Sequence, residues 1–354
     1  MKTQFIAAMT LGLSTATANA AGLDRSGQSI TDVFAVGTVA KFSFGATDAR
    51  VSGAGVPDVG QGFGTNSASY KTDFGDRVSF ALIWDQPFGA NTSYAQDPAA
   101  SAFGGTRASV DTNAITGVAN YRFDGGFSVH GGLRVQQAEG GVTLNGLAFG
   151  PVAGYNLDLA RDTSVGWLAG VAYEKTDIAL RVSLTYNSEI DHSFASIDSI
   201  AGAVTTNVTT PESWNLAFQT GIAKDTLLFG SIRYANYDDF IVPAAGLGGL
   251  NLASLDSATT FSLGIGRKFT DTWSGAVILG YEDGGSDNLV SPLAPTNGFA
   301  SLGLAATYTK DNMKITTGVR YTDLGDAIAS TTGASVPFNG NSAVSAGVSV
   351  AFSF

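Results

Sequence analysis

The chain has 354 residues, a formal net charge of −11, no cysteine, 45 glycines and only 14% charged residues. Without cysteine there is no disulfide framework, thiolate metal site or cysteine nucleophile, and without a basic run there is no general footprint for nucleic acid, whose phosphates require clustered Lys and Arg. The hydrophobic fraction of 44% holds no run near the ~18 apolar residues of a membrane-spanning helix, and each glycine costs a helix about 1 kcal/mol relative to alanine, so helical architectures are disfavoured throughout.

Residues 1–20 read as an export signal. Lys2 supplies the positive start, Phe5 to Leu13 the short apolar core, and Ala18-Asn19-Ala20 the small-residue cleavage pattern. The apolar stretch is too short for an anchor and is broken by Thr10, Ser14 and Thr15. Residues 21–37 follow as a separate N-terminal segment, and residues 38–354 repeat one device: alternating apolar and small or polar residues, then turn residues. Successive side chains of a strand point to opposite faces, so alternation sets one face against an apolar medium and the other against a polar one.

Fourteen such segments are expected, at 38–48, 66–73, 76–87, 106–124, 126–137, 161–175, 177–191, 209–223, 225–238, 256–268, 270–282, 297–310, 312–324 and 341–354. In one of them Trp214, Leu216, Phe218 and Ile222 interleave with Ser213, Asn215, Gln219 and Gly221; in another Met313, Ile315, Val319 and Tyr321 interleave with Lys314, Thr316, Arg320 and Thr322. A soluble sandwich shows the same alternation. The number and length of the segments, the lack of helices to cover a sheet, and aromatics near segment ends such as Tyr173, Trp273 and Tyr281 favour an all-β transmembrane antiparallel barrel with an even strand count.

Tight turns at Asp124-Gly125-Gly126, Lys175-Thr176-Asp177, Lys224-Asp225, Thr270-Asp271 and Lys310-Asp311-Asn312 alternate with long connections, the pattern of short periplasmic turns and long outer loops. Pro87, followed by Gly89, interrupts ladder bonding because proline lacks an N–H; it marks either a wall irregularity or the end of the third strand. The last segment alternates through Val344, Ala346, Val348, Val350 and Phe352 to Phe354, and closure requires it to pair with the first strand, since an open edge in lipid leaves backbone groups unsatisfied.

No catalytic constellation is apparent. His130 and His192 stand in different contexts, and Ser128 beside His130 reads as an ordinary lumenal polar residue. The outer connections are more informative. Val142, Leu144, Leu147, Phe149, Val152 and Leu157 crowd one; Phe194, Ile197, Ile200 and Val204 the next; Phe240, Ile241, Val242, Leu247, Leu250 and Leu252 a third; Leu289, Val290 and Leu293 a fourth. Such apolar surface either packs as a lid or binds an apolar ligand, with Leu144, Leu147, Phe149, Phe194, Ile197 and Ile200 as candidate contacts. The inward faces are expected to carry Arg134, Arg181, Arg233, Lys314 and Arg320 with Glu174 and Glu189. Each arginine serves either a lumenal salt-bridge network or as the bidentate anchor of a carboxylate head group.

Four stretches carry a family resemblance: Ala21-Gly22-Leu23-Asp24-Arg25-Ser26-Gly27-Gln28, Asp85-Gln86-Pro87-Phe88-Gly89, the run from Trp167 through Tyr173 to Tyr186-Asn187-Ser188-Glu189, and Pro211-Glu212-Ser213-Trp214. With these the chain resembles the long-chain fatty acid and hydrocarbon transport proteins of the outer membrane, the FadL/TodX type. The resemblance implies a fourteen-stranded barrel with residues 21–37 folded inward as a plug, capture of ligand between outer loops, transfer to a second pocket, and exit through a gap in the wall. The candidate plug is short and lacks the Asn-Pro-Ala element common in the family. The expectation is therefore a monomeric, non-enzymatic transporter in outer-membrane lipid, passively taking up a hydrophobic small molecule, a fatty acid or a hydrocarbon, without cofactor or nucleic-acid partner. A general diffusion porin is the alternative, and a structural or adhesive barrel a third class.

Overall fold

The computed structural model describes residues 23–354 apart from 254 and 286–287, so the expected signal peptide and residues 21–22 lie outside the described residues. Seventeen strands form one antiparallel sheet: β1 (Val39–Arg50), β2 (Phe63–Phe74), β3 (Val78–Asp85), β4 (Gly89–Ser93), β5 (Arg107–Arg122), β6 (Phe127–Leu144), β7 (Tyr155–Lys175), β8 (Leu180–Asn187), β9 (Ile190–Asp198), β10 (Gly202–Thr210), β11 (Ser213–Ala223), β12 (Thr226–Ala235), β13 (Ala258–Lys268), β14 (Trp273–Glu282), β15 (Phe299–Lys310), β16 (Met313–Leu324) and β17 (Asn341–Ser353). The sheet closes because β1 pairs with β17 from Val39↔Ser353 to Arg50↔Ser342. β3 and β4 are two halves of one wall strand, both paired with β5, while β9 and β10 form a hairpin that leaves the wall and β8 goes on to pair with β11. The wall is thus a closed barrel of fourteen strands, as the alternation predicts.

Polarity is inverted relative to a water-soluble core. Leu302, Leu304, Val319, Tyr321, Val344 and Val348 are exposed on the outside, whereas Ser301, Thr307, Thr316, Arg320, Thr322 and Ser345 are buried inside. Inner hydroxyls pair across neighbouring strands, Ser43 with Ser349 at 3.0 Å and Thr307 with Thr316 at 2.9 Å, which satisfies groups that the lipid side could not. Aromatic contacts form two belts. Near the short turns Phe127 meets Tyr173 at 4.8 Å and Trp273 meets Tyr308 at 5.1 Å; toward the other rim Tyr186 lies between Trp167 at 5.2 Å and Trp214 at 4.9 Å. Trp273 and Tyr281 sit at opposite ends of β14, roughly 26 Å apart at ~3.3 Å per residue. With a tilt of ~40° this spans about 20 Å of height, close to the apolar band of such barrels.

The short turns need left-handed backbone. Gly125 and Gly126 have φ of 87° and 90°, and a Cβ on Gly126 would lie 2.3 Å from the Glu174 carbonyl oxygen. Asp225 and Asp311 take up φ of 58° and 52° in two others.

Two expectations are corrected. Strands expected at 126–137 and 161–175 extend to Leu144 and begin at Tyr155. Their outer ends carry the exposed Arg161–Glu139 ion pair at 2.9 Å, so the outward face meets water and the lipid signature fades while the pairing continues and Leu144, Tyr155 and Leu157 stay buried inside. Likewise residues 192–208, expected within an outer loop, belong to the β9–β10 hairpin, whose outward Asp191, Ser193 and Asn207 are exposed and whose inward side mixes His192, Phe194 and Ser196.

Leu304, 52% exposed in the middle of the outward face of β15, provides a test. Leu304→Arg is expected to destabilise the barrel by ~2–4 kcal/mol in urea titrations in lipid vesicles, whereas Thr322→Ser on the inner face should change little.

Candidate ligand-binding site

Two cavities lie one behind the other at the outer end of the barrel. The outer groove, of about 450 Å³, is lined by Leu144, Ala148, Phe149, Val152, Leu250, Leu252, Leu289 and Val290. Phe149 gives it a firm side: it packs against two separate buried clusters and its ring lies 6.1 Å from that of Phe103. The inner pocket, of about 160 Å³, is lined by Val51, Val59, Phe63, Val110, Val142, Leu159, Phe240 and Val242, and by Leu23, Asp24 and Arg25 of the N-terminal segment. Leu255, Ser291, Leu293, Ala294 and Thr296 line both and so form the partition between them. It is tethered to the upper half of the broken wall strand: Tyr94 Oη donates to the Pro292 carbonyl at 2.7 Å and Thr92 Oγ1 to that of Leu293 at 2.9 Å.

The wall strand is broken at residues 86–88. Pro87 brings no N–H, and Thr112 of β5 supplies a substitute ladder, its Oγ1 accepting from Phe88 N at 2.8 Å and donating to Phe88 O at 2.6 Å. On the other side β2 pairs with β3 only from Ala68 to Phe74, so its outer part parts from β4. Leu23 to Arg25 take the vacated edge: Arg25 N donates to Pro87 O at 2.8 Å and Gly89 N to Leu23 O at 2.7 Å. A small cavity of about 20 Å³ at this gap is lined by Arg25, Ser26, Ser43, Phe44, Gly45, Thr65, Asn66, Ser67 and Gln86, with Phe44 exposed on the lipid face.

The rest of the N-terminal segment runs inward and is held by buried charge. Arg233 donates twice to Asp24, both at 2.7 Å, and also to Ser213, Asn215 and Gln28. Asp32 accepts from Lys41 at 2.6 Å and Ser69 at 2.7 Å. Between these anchors Ile30, Val33 and Phe34 pack on Ala81, Ile83, Val118 and Leu168 of the inner wall, with the Arg181 guanidinium 5.1 Å above the Phe34 ring.

Of the residues expected to contact ligand, Leu144 and Phe149 line the groove. Leu147 is exposed on the short 3-10 turn Leu147–Val152, and Ile197 and Ile200 are exposed on the hairpin and its tip; Phe194 is buried against His192, ring centroids 5.5 Å apart. Arg134 donates to Thr116 and Asn187, Arg181 to Gln219, and Arg233 to Asp24; Arg320 is buried on the inner face of β16. None of these four arginines lines either cavity or the wall gap. Glu189, expected inward, is exposed between β8 and β9. His130 bonds Thr185 at 2.9 Å rather than Ser128. The basic residue that does line the path is Arg25, whose only sequence signal was its place in an inward-folding segment.

One outer connection is latched by a single carboxylate. Asp198, at the end of β9, accepts from the N–H groups of Ile200, Ala201 and Gly246 at 2.8, 2.9 and 2.8 Å and from Tyr155 Oη at 2.7 Å. Burial opposes the charge, but these donors outweigh it and hold the carboxyl down at about 2.

A family model described as outer membrane protein transport protein (OMPP1/FadL/TodX) matches residues 7–283. Among solved structures the chain is similar to a FadL homologue of Pseudomonas aeruginosa, with a TM-score of 0.73 and 15% identity over 96% of this chain and 94% of that one. It is also similar to the toluene transporter TodX of Pseudomonas putida, at 0.67 and 12% over 96% and 97%, and to the toluene transporter TbuX of Ralstonia pickettii, at 0.62 and 11% over 90% and 90%. At these identities the likeness is one of fold. No curated protein matches the chain.

Two outcomes follow from this geometry. Arg233→Met removes the two hydrogen bonds and the charge that hold the buried Asp24 carboxylate, which should weaken docking of the N-terminal segment by about 3–5 kcal/mol and raise single-channel conductance in planar bilayers. Because the folded pKa of Asp198 lies below the ordinary carboxylate value of about 4, its contribution is complete above pH ~4 and lost as pH falls through about 2. Hydrogen exchange at the Gly246 amide should accelerate over that window, and Asp198→Asn should remove the pH step.

Proposed function

Since the chain belongs to the outer membrane transport proteins of the OMPP1/FadL/TodX family, outer-membrane barrels that carry hydrophobic compounds and are not enzymes, we propose that it passively takes up long-chain fatty acids and similar lipophiles. Ligand is captured in the outer groove, passes the 291–296 partition into the inner pocket, and leaves sideways through the gap beside residues 86–88. The observation that supports this is that two apolar-lined cavities share the 291–296 partition and that the inner one meets, at Arg25, the small cavity beside the break in the wall. Residues 21–37 act as the plug and residues 1–20 as the signal removed before assembly.

The physics favours this route. Each methylene taken out of water contributes about 0.8 kcal/mol, so a long chain binds an apolar groove with no charge or covalent chemistry. Continuing down the barrel would drag that chain past Arg134, Arg181 and the inner hydroxyls, whose hydration and hydrogen bonds it could not replace. Exit into lipid exchanges one apolar surrounding for another, and the concentration gradient suffices as the driving force. A diffusion porin would require a continuous polar channel, whereas here Asp24, Gln28, Asp32 and Phe34 lie across the lumen. The outward wall residues that are described, such as Leu302, Leu304, Val319 and Val344, are apolar, which supports a monomer as the working unit of this reading.

The test is binding of a long-chain fatty acid to detergent-purified protein, followed by uptake in vesicles. Phe149→Ser combined with Leu293→Ser should weaken saturable binding about tenfold or more, while Ile197→Ser, on the exposed hairpin face, should leave it unchanged. Because the native chain lacks cysteine, Asn66→Cys can be blocked at the wall gap with a bulky thiol reagent; binding should persist while uptake falls. Absence of saturable binding by the native protein would sink the reading.

A further inference from the structure

Among the described residues Arg25 is the only basic one lining the inner pocket and also the only one lining the wall gap. It is 8% exposed. Its Nε is buried without a hydrogen-bond partner, and among the described residues the guanidinium makes no ion pair within 4 Å: Asp111 on β5 attracts it from a greater distance, and the adjacent Asp24 is held by Arg233. The group is fixed between the two strand edges that have parted. On one side Cζ lies 4.1 Å from the centroid of the Phe63 ring at the start of β2; on the other it packs so closely on Gly89, the first residue of β4, that a Cβ there would lie 2.3 Å from Nε. A buried donor left without an acceptor is costly, and more so when it carries charge; a cation–π contact offsets only part of that.

The surroundings indicate which acceptor would complete it. The pocket before Arg25 is apolar, with Val51, Val110, Val142 and Leu159 in its lining, while the gap behind it adds the hydroxyl and amide residues Ser43, Thr65, Asn66, Ser67 and Gln86 beside the apolar Phe44. A neutral hydrocarbon matches the pocket but leaves the buried Arg25 Nε without an acceptor. An amphipathic acid matches both, and a planar guanidinium holds a carboxylate by two parallel hydrogen bonds. We infer that Arg25 is the specificity-determining residue of the path: it receives the carboxylate of a ligand whose tail lies in the inner pocket, and so sets a preference for lipophilic acids over neutral molecules of equal length. Because Arg25 N also bonds Pro87 O, the head group is received on the segment that patches the wall.

This rests on the uptake reading above, and the experiment separates the two. Binding of oleate and of oleyl alcohol is measured by competition in non-ionic detergent for the native protein, Arg25→Met and Arg25→Lys. The native protein should prefer oleate; Arg25→Met should lose about tenfold to a hundredfold for oleate, the range of a hydrogen bond to a charged group, with oleyl alcohol unchanged; Arg25→Lys should restore part of the difference. Equal losses for both ligands, or none for either, would overturn the role of Arg25 while leaving hydrophobic uptake standing. A Lys variant that binds oleate no better than the Met variant would overturn charge as its basis. Should the native protein bind neither probe, the uptake reading falls and this inference with it.

Discussion

A backbone that crosses a bilayer finds no water for its N–H and C=O groups, and each one left unpaired costs several kcal/mol. The closed ladder from β1 round to β17 answers that constraint, and its interruption in the third wall strand organises the path through the molecule. At residues 86–88 the wall cannot supply its own partners. A threonine side chain replaces them on one edge and the N-terminal segment on the other. The segment therefore lies where the break is, and its residues Leu23 to Arg25 line the inner pocket.

The five-residue strand β4 joins the two barriers that a ligand meets. Its first residue bonds Leu23 of the N-terminal segment, and Thr92, with Tyr94 just beyond its end, bonds the partition at residues 292–293. β4 lacks β2 as a neighbour, and its outer end is held instead by residues 59–60, with Ser93 N donating to Val59 O at 3.1 Å. Against this, the doubly bonded Asp24–Arg233 pair is the stiff element. Its removal leaves a buried charge rather than a simple loss of contact, which is why the segment is held by charge at a depth where apolar packing alone would allow it to slide.

Much of the wall was legible because lipid writes itself into sequence. Val319 and Tyr321 alternate with Arg320 and Thr322 since one side meets hydrocarbon and the other a polar lumen, and the strand pairs as that pattern requires. Where the strand rises out of the lipid the rule lapses. Residues 138–144 and the hairpin β9–β10 are paired strands, but with water outside and mixed packing inside they show no two-sided contrast. The groove was partly legible: Leu144 and Phe149 line it, whereas Leu147, Ile197 and Ile200, equally apolar in sequence, face solvent. Hydrophobicity in a loop records that a residue was available for burial, and only packing chooses among those available.

Sequence by itself thus determined the class, the strand count and the position of the tight turns, and marked Pro87 as a point where ladder bonding stops, all of which follow from local chemistry: side-chain alternation, left-handed turn residues and a missing N–H; that the wall strand resumes beyond it was decided by the fold. Tertiary structure alone decided which charges find partners. Arg134, Arg181 and Arg233 looked interchangeable with a ligand anchor, yet the folded wall and N-terminal segment satisfy all three, while Arg25 is brought from a distant part of the chain to stand beside Phe63 and Gly89 with a donor unmet. Satisfaction of a buried polar group depends on what is within about 3 Å of it, and that distance is set by closure of the barrel rather than by neighbours along the chain.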